Sequence, residues 1–217
     1  MNKNGKNILI VVLIIFLSIF FIQIVYKFVR SGNNINKSAD DLIEYILNIS
    51  SYEAKIEATI NSNKTTNKYI LEQYYKAPNY SKQIVKEPTN IENLEIIYNG
   101  MNLEIKNTNL GLSKIYENYN YINDNLLWLN FFIENCKSKG YSVEVLEDEV
   151  IINSNIEKYN YKGKLYLNTK TLLPNKIEII DKNNQNKIYI EYKEIKLNNI
   201  QENNIFAFKF ESIKEEV

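Results

Sequence analysis

Histidine is absent from the 217 residues, and cysteine occurs once, at Cys136. The first absence removes the commonest general base near neutral pH and every Ser-His or Cys-His nucleophile pairing. It also removes His-bearing zinc sites. A single cysteine can form neither an intrachain disulfide nor a cysteine zinc site. Glycine (6) and proline (3) are scarce. Neither sign of charge is in excess, since 26 basic residues balance 26 acidic ones. A nucleic-acid binder draws much of its affinity from phosphate contacts and usually shows a basic surplus, so no nucleic-acid partner is expected. No catalytic set, metal site or cofactor site emerges from this inventory. The expectation is a protein that is not an enzyme.

What is present points to β structure. Hydrophobic residues make up 45% of the chain, enough to exclude disorder by composition. Tyrosine occurs 17 times, and its ring suits a pleated, half-buried surface. The length fits one domain plus a short extra segment.

That extra segment is N-terminal. Ile8 to Tyr26 is apolar apart from Ser18 and Gln23. At about 1.5 Å per residue, a helix of this length nearly spans a hydrocarbon core of roughly 30 Å. No small-x-small cleavage pattern or lipid-accepting cysteine follows it. Residues 1–30 are therefore expected to be an uncleaved membrane anchor, with a linker at 31–37, a domain at 38–212 and a tail at 213–217. Lys3 and Lys6 precede the segment, and Lys27 and Arg30 follow it, so the positive-inside rule barely votes. The domain is expected outside the cytoplasmic membrane, because a lone N-terminal anchor before a long domain usually exports that domain.

The body starts with an amphipathic helix. Ser38 can cap it, and Leu42, Tyr45, Ile46 and Ile49 share one face. The period then changes to two: Tyr52, Ala54, Ile56, Ala58 and Ile60 alternate with polar residues. Further strands are expected over Lys68–Ala77 and Tyr80–Lys86. Asn99-Gly100 between alternating apolar runs marks a hairpin, and a short strand surrounds Ile115. A second helix is predicted over Asn125–Lys139, with Leu126, Leu129, Ile133 and Cys136 on one face. A hairpin about Glu147-Asp148 follows, then strands at Tyr159–Leu167, Lys176–Asp181 and Lys187–Leu197. The class is α+β: an antiparallel sheet long enough to curl into a half-open barrel, with helices as lid or plug.

The run Leu165-Tyr166-Leu167-Asn168-Thr169-Lys170-Thr171-Leu172-Leu173-Pro174-Asn175-Lys176-Ile177-Glu178-Ile179 resembles the late hairpin of the LolA/LolB-like fold. The strand Tyr52–Ile60, followed by Gln73-Tyr74-Tyr75 and Pro78, resembles its start. Within that fold the chain looks most like the clostridial germination lipoprotein GerS and its relatives. The resemblance covers roughly residues 38–210. It implies a non-catalytic, spore-associated protein on the outer face of the membrane, partnered by a cortex peptidoglycan amidase. The wider fold implies the alternative of a carrier or sensor for a lipid, acyl chain or lipoprotein. This chain departs from the lipoproteins in having Ile8–Tyr26 where a lipid-bearing cysteine would stand.

Candidate contact residues are aromatic. Trp128, Phe131 and Phe132 on the second helix could line a cavity or meet a partner, or could be ordinary core. Tyr116, Tyr119 and Tyr121 could form a contact patch, or bury their rings and keep their hydroxyls wet. Cys136 reads as a small buried hydrophobe. Glu147, Asp148 and Glu149 read as a solvated hairpin tip, and Glu53 and Glu57 as a charged wet strand face.

Overall fold

The computed structural model describes residues 39–119, 125–183, 185 and 187–208. The anchor, the linker, the Ser38 cap and the tail lie outside the described residues. Among those described, no helix is long and apolar enough to cross a membrane.

The first helix, α1, spans Ala39–Leu47, with Asp40 and Asp41 in the first turn, where the helix dipole favours negative charge. Leu42 and Ile46 are buried as the pattern predicts, and Ile43 and Leu47 join them. Six strands follow: β1 (Ser51–Asn61), β2 (Thr66–Lys76), β3 (Tyr80–Glu87), β4 (Leu94–Asn99), β5 (Leu103–Asn107) and β6 (Leu112–Tyr116). The second helix, α2, spans Leu129–Lys139. Five strands complete the domain: β7 (Ser142–Val145), β8 (Glu149–Ile156), β9 (Tyr161–Asn168), β10 (Pro174–Asp181) and β11 (Lys187–Leu197).

All eleven strands form one sheet in the order β6-β5-β4-β3-β2-β1-β11-β10-β9-β8-β7. Every pairing is antiparallel. The sheet is thus two meanders joined at the centre, where the first strand pairs with the last: Tyr52 faces Leu197 and Asn61 faces Lys187. It does not close, so β6 and β7 are its edges.

The helices cover one face. Leu42 and Ile46 of α1 and Leu129, Phe132, Ile133 and Cys136 of α2 form one apolar cluster with Tyr52, Ile56, Ile152, Leu165, Ile177 and Ile190 of the sheet. The period-two pattern of β1 supplies the sheet's share: Ala54, Ile56 and Ala58 are buried, while Lys55 is exposed and Glu57 half-exposed between them.

Strands β2 and β10 each start two residues earlier than expected, at Thr66 and Pro174, and two later starts have a local cause. The second helix starts at Leu129 rather than Asn125. The Asn125 side chain accepts the Leu127 N–H at 3.0 Å, closing a turn of its own. Trp128 is then extended, with φ −98° and ψ 132°. Strand β9 starts at Tyr161, two residues late, because Glu157–Tyr159 forms a short 3-10 turn ended by Asn160 in the left-handed region (φ 59°).

A feature without a sequence signal is the path after β11. The Asn198 side chain accepts the Ser50 N–H at 2.8 Å, and the Ile200 N–H donates to Ser51 Oγ at 3.2 Å. Lys76 Nζ donates to the Gln201 carbonyl. The chain thereby crosses the face opposite the helices and buries Phe206 against Tyr80, ring centroids 5.6 Å apart.

Candidate partner-binding surface

Trp128 and Phe132 are buried beneath the helices, and Phe131 is half-buried against Tyr159 at 6.4 Å between centroids. Trp128 lies 6.4 Å from the Tyr52 ring, which in turn lies 5.6 Å from Tyr75. A polar network ties this cluster to the start of α2. The Leu129 N–H donates to Tyr52 Oη at 3.2 Å, and the Tyr52 hydroxyl reaches Asn130 Oδ1 at 3.4 Å. Gln73 Nε2 donates to Gln83 Oε1 at 3.1 Å and to the Leu127 carbonyl at 3.2 Å. Burial holds the Tyr52 hydroxyl well above the usual phenol range, with Tyr192 nearby reinforcing it. These aromatics therefore join the helices to the sheet.

Tyr116 and Tyr119 are brought together, centroids 5.8 Å apart, with Lys114 Nζ 4.8 Å from the Tyr116 ring. Tyr121 lies outside the described residues. Cys136 is buried, and desolvation pushes its thiol up to about 11. The acidic hairpin tip leans on the β9–β10 turn: Asp148 pairs with Lys170 at 2.7 Å, and Asn175 donates to Glu149 at 3.4 Å. Glu53 pairs with Lys196 at 2.5 Å, and Glu57 with Lys193 at 3.3 Å. The Lys196 hydrogen bond holds the Glu53 carboxyl below the usual range. Among the described residues, no three metal-ligating side chains converge.

The surface carries a clearer signal. Among the described residues, every large hydrophobic side chain exposed beyond a third sits at or beside a sheet edge. Met101, Leu110, Leu112, Ile115 and Tyr119 lie around β6. Tyr141, Val143, Val145 and Leu146 lie on β7 and its flanks. The β7 group is the more organised. Val143 and Val145 stand in register with Ile152 and Val150, both buried. They continue the core face of the sheet into solvent, with Val145 exposed by 61%. Beside them runs a groove of about 420 Å³ lined by Asp40, Ile43, Glu44 and Leu47 of α1 and by Lys137, Tyr141 and Val143. An edge strand beside a groove of mixed apolar and charged lining is a geometry that accepts an added strand. The Val-Glu-Val alternation was visible in sequence. Its exposure was not, because nothing local tells an edge strand from an inner one.

Among the described residues, the antiparallel scaffold leaves an apolar edge strand, β7, in solvent. The chain belongs to the sporulation protein YdcC-like family, whose sequence profile matches residues 6–206. No match was found among curated proteins. Among solved structures, an uncharacterized conserved protein from Thermus thermophilus is similar at TM-score 0.51 and 9% identity, over 81% of this chain and 96% of that one. That likeness shows a common fold. The LolA superfamily protein NE2245 from Nitrosomonas europaea is similar at TM-score 0.43 and 14% identity, over 79% and 98% of the two chains. A chain in the complex of the CwlD amidase with the GerS lipoprotein, from Clostridioides difficile, is similar at TM-score 0.42 and 23% identity, over 73% and 95%.

Proposed function

We propose that the chain is a non-catalytic binding protein of the sporulating cell's envelope, held at the membrane by Ile8–Tyr26 with its domain outside. Its β7 edge docks a protein partner. The observation that carries this reading is the exposed pair Val143 and Val145, which extends the core face beside the α1 groove. Membership of a sporulation family supports the setting. The residue pattern that resembles GerS makes a cortex peptidoglycan amidase the first partner to try, and GerS itself is found with the CwlD amidase. The alternative of an acyl-chain carrier would need free apolar space under the helices, where Trp128, Leu129, Phe132 and Ile133 are packed.

The test is direct titration of the full-length chain, in detergent, against a purified cortex amidase. Binding is expected, and Val143→Lys together with Val145→Lys should weaken it by about ten-fold or more, as loss of an apolar anchor does. Both side chains are exposed, so the fold should survive. Failure to bind the amidase removes that partner, and binding that ignores both substitutions removes the β7 edge.

A further inference from the structure

Three neighbouring hairpin tips, those of β1–β2, β10–β11 and β8–β9, lie side by side at one end of the sheet. Asn63 of the β1–β2 turn reaches Gln185 of the β10–β11 turn at 3.4 Å. Asp181 faces Tyr161 across β10 and β9, which places the β8–β9 turn next in line. Lys64, Lys68, Lys158, Lys162, Lys182 and Lys187 all belong to these tips or to the last pairs below them. The acids there are Glu157 and Asp181. Glu157 is paired with Lys139 at 3.3 Å, and Asp181 accepts the Gln185 N–H at 2.7 Å. Lys162, Lys164 and Lys182 line a groove of about 410 Å³ with Ile180, Glu178 and Asp181. The chain as a whole is neutral, so these three tips concentrate basic charge that is offset elsewhere, in part by Glu87, which ends β3, and Glu92 of the β3–β4 connection. Tyrosine accompanies it: Tyr159 and Tyr161 stack at 6.1 Å, and Lys158 Nζ stands 5.5 Å from the Tyr159 ring.

Lysines interleaved with half-buried tyrosines suit an anionic lipid surface, where the ring sits at headgroup level and the ammonium pairs with phosphate.

We propose that this lysine–tyrosine rim is a membrane-facing surface that rests on anionic phospholipid headgroups. The inference builds on the anchored reading above, and gives the tethered domain a fixed underside with the β7 edge at its flank.

The full-length chain is mixed with vesicles of phosphatidylcholine, alone or with phosphatidylglycerol, and amide exchange is followed in residues 62–65, 157–160, 182, 183 and 185. Exchange there should slow by about ten-fold or more with phosphatidylglycerol, since each lysine near such a surface contributes about five-fold in partition. High salt should reverse the slowing, and so should Lys162→Gln, Lys182→Gln and Lys187→Gln combined, with exchange in β1 unchanged. No slowing with phosphatidylglycerol overturns the proposal. Equal slowing by soluble poly(glycerol phosphate) beside neutral vesicles also overturns it, in favour of a wall polymer. Flotation with neutral vesicles reads the anchor separately, so a chain that fails to float but shows lipid-dependent slowing keeps the rim and loses the anchor.

Discussion

Phe132 of α2 lies over Gly163 of β9 so closely that a Cβ at position 163 would stand 2.7 Å from Phe132 Cε2 and 3.2 Å from Ile156 Cδ1. The missing side chain is what lets the helix settle on the sheet. Gly163→Ala should destabilise the domain by about 1–3 kcal/mol, the usual cost of overpacking. Denaturant unfolding checks this. Phe132→Leu in the Gly163→Ala background should recover part of the loss. An unchanged midpoint for the single variant would mean that the ring moves freely.

The Tyr52 hydroxyl is the acceptor for the Leu129 N–H, at 3.2 Å in a buried setting. Tyr52→Phe keeps the ring and orphans that donor, so a loss of about 1–3 kcal/mol is expected. Thermal unfolding measures it, and hydrogen exchange should show the first turn of α2 opening more often.

Cys136 titrates at about 11 in the folded chain because burial disfavours the thiolate. A raised folded pKa gives stability that is complete below the unfolded pKa, about 8.5, and is lost as pH rises toward the folded value. Stability should therefore fall between about pH 9 and 11, by about 1.4 kcal/mol per pH unit at most from this one proton. Cys136→Ala should flatten that slope. In the native protein at pH 8 a thiol reagent should react with Cys136 only after denaturation.

Phe206 is 1% exposed against Tyr80, beyond the last strand. Phe206→Ala should cost about 3–5 kcal/mol, as for other buried aromatics. Exchange should quicken first in β3 and β4, which it covers, and last in β9 and β10. A loss spread evenly over the sheet would argue against a local clasp.

Much of this was legible in the sequence because period and turn chemistry are local. Tyr52 to Ile60 alternates in a way only a half-buried strand explains. The hairpin forms where the Asn-Gly pair marks it, with Gly100 at a φ of 92°, while Asn99 ends β4 and its side chain accepts the Met101 and Asn102 N–H groups. What stayed hidden depends on partners far along the chain. Asn125 reads as the first residue of the second helix, but its side chain closes a turn on the Leu127 N–H and the helix starts only at Leu129. Neither the clasp of Phe206 on Tyr80 nor the exposure of Val145 leaves a trace in neighbouring residues. The sequence leaves Trp128, Phe131 and Phe132 open between contact and core, and the fold places Trp128 and Phe132 in the core.

The pairing of Tyr52 with Leu197 joins the first strand to the last. In a chain made from its N-terminus, β1 emerges early and waits for nearly the whole domain before its second neighbour exists. Until then the half-sheet β1–β6 has a raw inner seam, with Ala54, Ile56 and Ala58 beside unmatched backbone. Non-local closure of this kind is slow, and an unmatched seam can recruit another strand. Assembly is thus committed only when the C-terminal strand arrives. A truncation before Lys187 would leave two half-sheets rather than a shortened domain.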